Sequence, residues 1–287
     1  MKKYILTIIT TNVMLTKKWK NTSIKKILKK IFVTASLFFA VNAYAQDDYV
    51  LKVHESNTLL QGDQLFLSHL NYNANQNKPG ATISGNRRTR YAVHASYEFI
   101  QGITDNFELG FIVLTNFTNT YGYHLVGGHF RPKISCPDYW ELPVGLSLSA
   151  DIGLQNKDYF TSSLGLEIRP VIDHQFDNSY VSFNPTIGFS FEGNANESSP
   201  IFSPSGKYSF HFNELFDLGL EYYGNLNTLN AFKNTIEQKH TLLVVTDLKL
   251  DPDWVIHMGI GTGLNAASNK LVLQLMLGKK LNVFNKN

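Results

Sequence analysis

From about residue 64 onward the chain alternates between apolar and polar side chains, residue by residue. Between Arg90 and Phe99, the side chains Tyr91, Val93, Ala95, Tyr97 and Phe99 share one face, opposite Arg90, His94, Ser96 and Glu98. Phe107, Leu109, Phe111, Val113 and Phe117 oppose Glu108, Gly110 and Asn116. In Val144–Leu154 six apolar residues oppose Gly145, Ser147, Ser149, Asp151 and Gly153. The same two-residue period runs through Phe160–Pro170, Val181–Phe191 and Phe216–Tyr222. This is the period of β-strands, and the helical period of 3.6 is hard to find anywhere in the same stretch. Further strands are predicted at Gln64–Tyr72, His124–Ile134, Lys207–Phe212, Lys239–Leu250, Trp254–Gly263 and Leu271–Leu281. The total is about twelve, with ten to fourteen compatible with the pattern.

A soluble antiparallel sandwich also alternates, so other features must decide. The predicted strands are mostly of the length that a tilted strand needs to cross a bilayer, about 9–11 residues, against about 5–6 in globular sheets. Short joins (101–106, 173–178, 213–214, 251–253) alternate with longer polar ones (73–88, 193–204, 226–238). Aromatic residues such as Tyr72, Phe107, Phe117, Tyr139, Trp140, Tyr180, Tyr208, Tyr222 and Trp254 gather near strand ends, as in interfacial girdles. An unpaired strand edge in hydrocarbon costs several kcal/mol per backbone group, so such a sheet has to close. The expectation is an all-β, transmembrane, antiparallel up-and-down β-barrel over residues 64–287, apolar outside and polar within.

The amino terminus reads differently. Residues 1–30 carry nine lysines and no acid; an apolar run from Ile31 to Val41 follows, then Ala43-Tyr44-Ala45. A basic stretch, a short apolar core and an A-x-A site make a secretory signal peptide over 1–45, cleaved between Ala45 and Gln46. Met14 is a second candidate start. Residues 46–63 are then expected to be a periplasmic N-terminal segment. Without the leader, 17 basic residues face 23 acidic ones, so the mature chain is acidic at −6 and offers no basic footprint for nucleic acid. The one cysteine, Cys136, precludes an intramolecular disulfide.

The wet face of the strands carries Arg90, Glu98, Glu108, His129, Arg131, Lys133, Asp151, Glu167, Arg169, Lys207, His211, Asp217, Glu221, Asp247, Lys249 and His257. These are the candidate lumen-lining residues. Interleaved acids and bases can brace the wall across the lumen or line a narrow polar path. Inward glycines, Gly145 among them, either relieve crowding or leave room for a solute. No catalytic set is assigned: there is no G-x-S-x-G elbow and no H-E-x-x-H helix. The glycines at 259, 261 and 263 lie within a strand, where a phosphate loop cannot form, and Asp251-Pro252-Asp253 reads as a turn. No metal or cofactor is implied.

The stretch Tyr97-Glu98-Phe99, Gly102-Ile103-Thr104-Asp105-Asn106, Phe107-Glu108-Leu109-Gly110, echoed by Leu218-Gly219-Leu220-Glu221-Tyr222, resembles the Gram-negative outer-membrane β-barrel families, including those known chiefly as uncharacterised outer-membrane proteins. Gly278–Phe284 is similar to the C-terminal strand read by the barrel-assembly machinery, although the chain continues to Asn287. The resemblance implies residence in the outer membrane, contact with its lipid and with that machinery, and no particular substrate. Three functions follow as expectations: a porin-like channel or binding barrel for a small polar solute, a structural or surface-interaction barrel acting through loops 73–88, 193–204 and 226–238, and a barrel-embedded hydrolase.

Overall fold

The computed structural model describes residues 50–74, 92–119, 122–156, 163–191, 200–229, 231–232, 234 and 237–281. The leader, the Ala45–Gln46 site, Arg90 and most of loops 73–88 and 193–204 lie outside the described residues. Among the described residues there are fourteen strands. They are β1 (Gln64–Ala74), β2 (Ala92–Thr104), β3 (Phe107–Thr118), β4 (Gly122–Ser135), β5 (Gly145–Gln155), β6 (Leu164–Gln175), β7 (Ser179–Ser190), β8 (Ile201–His211), β9 (Phe216–Asn225), β10 (Asn227–Thr228), β11 (Ala231–Phe232), β12 (Lys239–Leu248), β13 (Trp254–Gly263) and β14 (Leu271–Leu281).

Twelve of these form the wall. Each pairs antiparallel with its neighbour, β8 with β9 and β9 with β12, and β1 pairs with β14 from Gln64↔Leu281 to Ala74↔Leu271. That last ladder closes the ring, so no wall strand is left with a free edge. The remaining two, β10 and β11, form a two-residue ribbon beside β8, within the predicted loop 226–238.

Several boundaries depart from the pattern reading. β2 runs on to Thr104, so the join at 101–106 shrinks to a tight turn at Asp105 and Asn106. β6 runs from Leu164 to Gln175, past the predicted end at Pro170, and the predicted start at Phe160 lies outside the described residues. β8 begins at Ile201 instead of Lys207: residues 201–204, read as the end of a polar join, pair within the sheet, with Pro204 opposite Pro185 of β7.

The outer face is greasy. Phe111 and Val113 of β3, Leu148 and Ile152 of β5, Leu218 and Leu220 of β9, and Ile260 of β13 are exposed, and on the same strands the intervening residues point inward. Trp254 stands at the start of β13 with the Lys279 ammonium 5.0 Å above its ring, an amphipathic pair suited to a membrane boundary. Lateral burial of such a band in lipid holds it where water would not.

Residues 46–63 were expected as a periplasmic segment. The described part runs elsewhere: Val50–Leu60 lies inside the ring, bonded to inward side chains of β3, β6, β7 and β14. A turn at Gln61–Asp63 then leads into β1, tied to Gly102 by Gly62 N–H to Gly102 O at 3.0 Å and Gly102 N–H to Asp63 O at 2.9 Å.

Val113 is mid-strand and faces outward, so Val113→Arg should lower the unfolding free energy in lipid by about 2–4 kcal/mol, read by denaturant titration in liposomes. The inward change Ser149→Ala should cost far less.

Candidate functional site

An extended chain presents alternate side chains to opposite sides, and Val50–Leu60 uses both. Leu51 and Val53 are buried against Tyr223 of β9, Leu243 and Val245 of β12 and Val272 of β14. On the other side Val50 packs on Ile112, Leu114 and Val126 of β3 and β4. His54 and Ser56 face β6 and β7. Lower down, Leu59 packs on Leu65, Leu67, Ile100 and Met276. The inner wall therefore has three apolar patches, each matched to an apolar residue of the segment.

The segment's main chain is met by wall side chains. Asn184 grips His54 twice: its Oδ1 accepts from His54 N–H at 2.6 Å, and its Nδ2 donates to His54 O at 3.0 Å. Ser182 Oγ donates to the same carbonyl at 2.7 Å. Asp173 accepts from Ser56 N–H at 2.6 Å and from Ser56 Oγ at 2.7 Å. Gln274 Nε2 donates to Leu51 O at 2.7 Å, Lys133 Nζ donates to Asn57 O, and Glu108 Oε2 accepts from Leu59 N–H at 2.7 Å. Two glycines make room. A Cβ at Gly102 would sit 2.0 Å from Leu60 O, and one at Gly145 would sit 2.2 Å from Ser56 Oγ.

Behind the segment lie two belts of charge. The first crosses β1 to β6: His69 meets Glu98 at 3.1 Å, Glu98 pairs with Arg131, Arg131 reaches Asp151 at 3.8 Å, and Arg169 bonds Asp151 at 2.7 Å and Glu167 at 2.8 Å. Arg169 Nη1 also lies 3.2 Å from His54 Nε2. A guanidinium can only donate, so that ring nitrogen accepts and His54 is neutral. Burial, then the Arg169 guanidinium, hold its imidazole well below the usual histidine range. Burial and Arg131 bring the nearby Lys52 ammonium down to about 8. The second belt spans β8 to β13: Lys207 bonds Asp247 at 2.7 Å and lies 3.6 Å from Glu221, and His257 bonds Asp247 at 2.7 Å. Tyr223 donates to Glu221 at 2.6 Å.

At the end of the barrel with the short turns, a cavity of about 1210 Å³ opens below the segment, bounded by Glu55, Ser56 and Thr58 above and by the turns near 105, 138–144 and 174 around it. Among the described residues, no group of three His, Cys, Asp or Glu side chains is placed to hold a metal ion.

A closed ring of twelve tilted strands with a greasy exterior and a charged interior leaves one architectural class. The fold is that of an outer-membrane β-barrel. An outer membrane channel from Pseudomonas putida F1 superposes with a TM-score of 0.54 at 8% identity, over 81% of this chain and all (100%) of that one. The NanC porin gives 0.49 at 7% identity over 74% of this chain and 97% of its own. The KdgM porin gives 0.46 at 11% over 75% and 98%. At such identities the likeness is one of fold. The sequence matches no family model and no curated protein.

In this outer-membrane barrel the sequence-derived lumen candidates fall into distinct groups. Glu98, Arg131, Asp151, Glu167 and Arg169 come together in the first belt, with His129 close by, its Nε2 3.3 Å from Gln155 Nε2. Glu108 turns to the segment. Glu221 and Asp247 belong to the second belt. His211, Asp217 and Lys249 form a separate, more exposed trio at the short-turn rim, with Lys249 to Asp217 at 2.8 Å and His211 to Asp217 at 2.9 Å. Gly145, left open between crowding and solute space, makes room for Asp173 Oδ1 and Ser56 Oγ. The sequence reading missed the segment itself and its holders Asp173, Ser182, Asn184 and Gln274. A signal was present: Phe111-Ile112-Val113-Leu114 and Leu242-Leu243-Val244-Val245 are apolar on both faces, which a water-filled lumen would not favour.

Asn184→Ala removes two bonds to one residue of the segment. Hydrogen exchange at the His54 and Ser56 amides should accelerate by about 5- to 150-fold, the equivalent of about 1–3 kcal/mol, with wall amides such as Ile112 unchanged.

Proposed function

We propose that the protein is a small-solute channel of the outer membrane, with its short turns in the periplasm, closed at rest by its own residues 50–60. The observation that carries this reading is the contrast between the two halves of the path. Below Ser56 a polar cavity wide enough for a small solute opens to the short-turn end; above it the segment fills the space between the β3–β4 wall and the β9–β12–β14 wall. Short turns face the periplasm in barrels of this kind, which sets the orientation.

The cavity also has a sign. Seven carboxylates line it against two lysines, Lys207 and Lys249, and each lysine is already paired with an acid of the cavity, Asp247 and Asp217. The surplus is negative, so cations are concentrated at this mouth and anions repelled. A fully dehydrated binding site is not needed for this; field focusing in a confined, low-dielectric entrance is sufficient.

Planar-bilayer recording tests both parts. The wild-type barrel should show small, infrequent conductance at neutral pH. The double change Asp173→Ala with Asn184→Ala should raise it several-fold, and the reversal potential in a KCl gradient should favour K⁺. An unplugged variant that stays silent, while still running as a folded, heat-modifiable barrel on a gel, would remove the channel reading.

A further inference from the structure

The segment is held by contacts of unequal kind. Apolar packing of Leu51, Val53 and Val50 and the main-chain bonds from Asn184, Ser182 and Gln274 do not change with conditions. One contact does. His54 accepts from Arg169 at 3.2 Å, and it can do so only while that ring nitrogen is bare. We propose that His54 is the release catch of the segment, so that acidification withdraws residues 50–60 and opens the lumen. The inference rests on the channel reading.

Every element packed around His54 bears on the argument. From β6 comes Arg169, whose guanidinium is already committed to Asp151 and Glu167. From β4 come Arg131, itself paired with Glu98, and Lys133, 3.5 Å from Glu108. The segment contributes Lys52. From β7 come only the neutral Ser182 and Asn184. The acids of β2, β3, β5 and β6 just named are thus engaged by cations. Asp173 of β6 is taken up by Ser56 and Tyr180, Glu55 points out to an exposed position, and the His54 ring is only 4% exposed. A proton on His54 turns its acceptor nitrogen into a donor aimed at a guanidinium and adds a positive charge among four others, with little water to screen it.

The direction follows from linkage. The inserted imidazole binds a proton far less readily than a free one, so the withdrawn state takes up the proton. Insertion keeps its full stability above about pH 6.5, the range of a free histidine, and loses it as the pH falls below that, by up to about tenfold in the equilibrium per pH unit. Lys52 acts in the same sense at alkaline pH: insertion strengthens further as the pH rises from about 8 to 10.5. No opposing titration comes from the segment's own two bases. An outer-membrane pore is open to the pH of the medium, so no transducing domain is required.

The test uses the full mature barrel in planar bilayers, stepped from pH 7.5 to pH 5 and back. Wild type should gain at least about tenfold in open probability, reversibly. His54→Gln, whose amide oxygen can still accept from Arg169 but does not titrate, should stay closed at both values. In a second readout, a nitroxide at Glu55→Cys, placed in a Cys136→Ser background, should sharpen at pH 5 in wild type and remain broad beside His54→Gln. Wild type that stays shut at pH 5, while Asp173→Ala/Asn184→Ala conducts at pH 7.5, overturns the catch and leaves the channel intact. Equal acid opening in His54→Gln overturns it as well. A nitroxide freed at pH 5 in a barrel that conducts in no variant supports the catch and overturns the channel.

Discussion

A chain running inside a closed β-barrel has no sheet to join. Every strand edge of the wall is consumed by a neighbour, so beyond the Leu60 carbonyl, which accepts from Asp63 N–H in the following turn, the main chain of residues 50–60 turns to side chains for its partners. That constraint organises the interior. Asn184, Ser182, Asp173, Gln274, Lys133 and Glu108 reach inward from five strands to do what a neighbouring strand would do elsewhere. Amides and carboxylates suit the task, since each can meet an N–H, and the amides can meet a carbonyl as well.

The belts of charge make sense against the same background. Isolated ions at such depth would be costly to desolvate, and paired ones are held in register by the wall that carries them. In the first belt base and acid alternate from His69 of β1 through Glu98 of β2, Arg131 of β4 and Asp151 of β5 to Arg169 of β6, so Glu98, Arg131 and Asp151 each bridge two partners and brace that wall. The second belt braces β8 to β13. The segment passes between the two, touching the first through His54 and packing near the second through Leu51 and Val53.

Much of the wall was legible before any coordinates. The two-residue period located all twelve wall strands because each crosses from lipid to lumen with every step, and lipid tolerates no exception. Boundaries were harder where prolines intervene, as at Pro204, which pairs with Pro185 inside the ladder although proline has no N–H to give it. The segment was illegible for a different reason. Val50-Leu51-Lys52-Val53-His54 is too short to announce a strand, and its partners lie up to 223 residues away in sequence. Only the doubly apolar runs of β3 and β12 hinted that something greasy would lie inside. The role of Gly102 depends on the Leu60 carbonyl, which approaches from that distant segment, so it could not be assigned from its own neighbourhood; Gly145 makes room both for Asp173 of the paired strand and for Ser56 of the segment.

The seam of the ring joins its first wall strand to its last. Because residues 50–60 stand immediately ahead of β1 and bond to β14 through Gln274, the insertion of the segment and the sealing of the wall draw on the same two strands. Val50 itself still packs on the inner wall, against Ile112, Leu114 and Val126. A bulky label at Val50 would therefore press on the wall from within, whereas one at the exposed Leu273 of β14 would stand outside the cylinder.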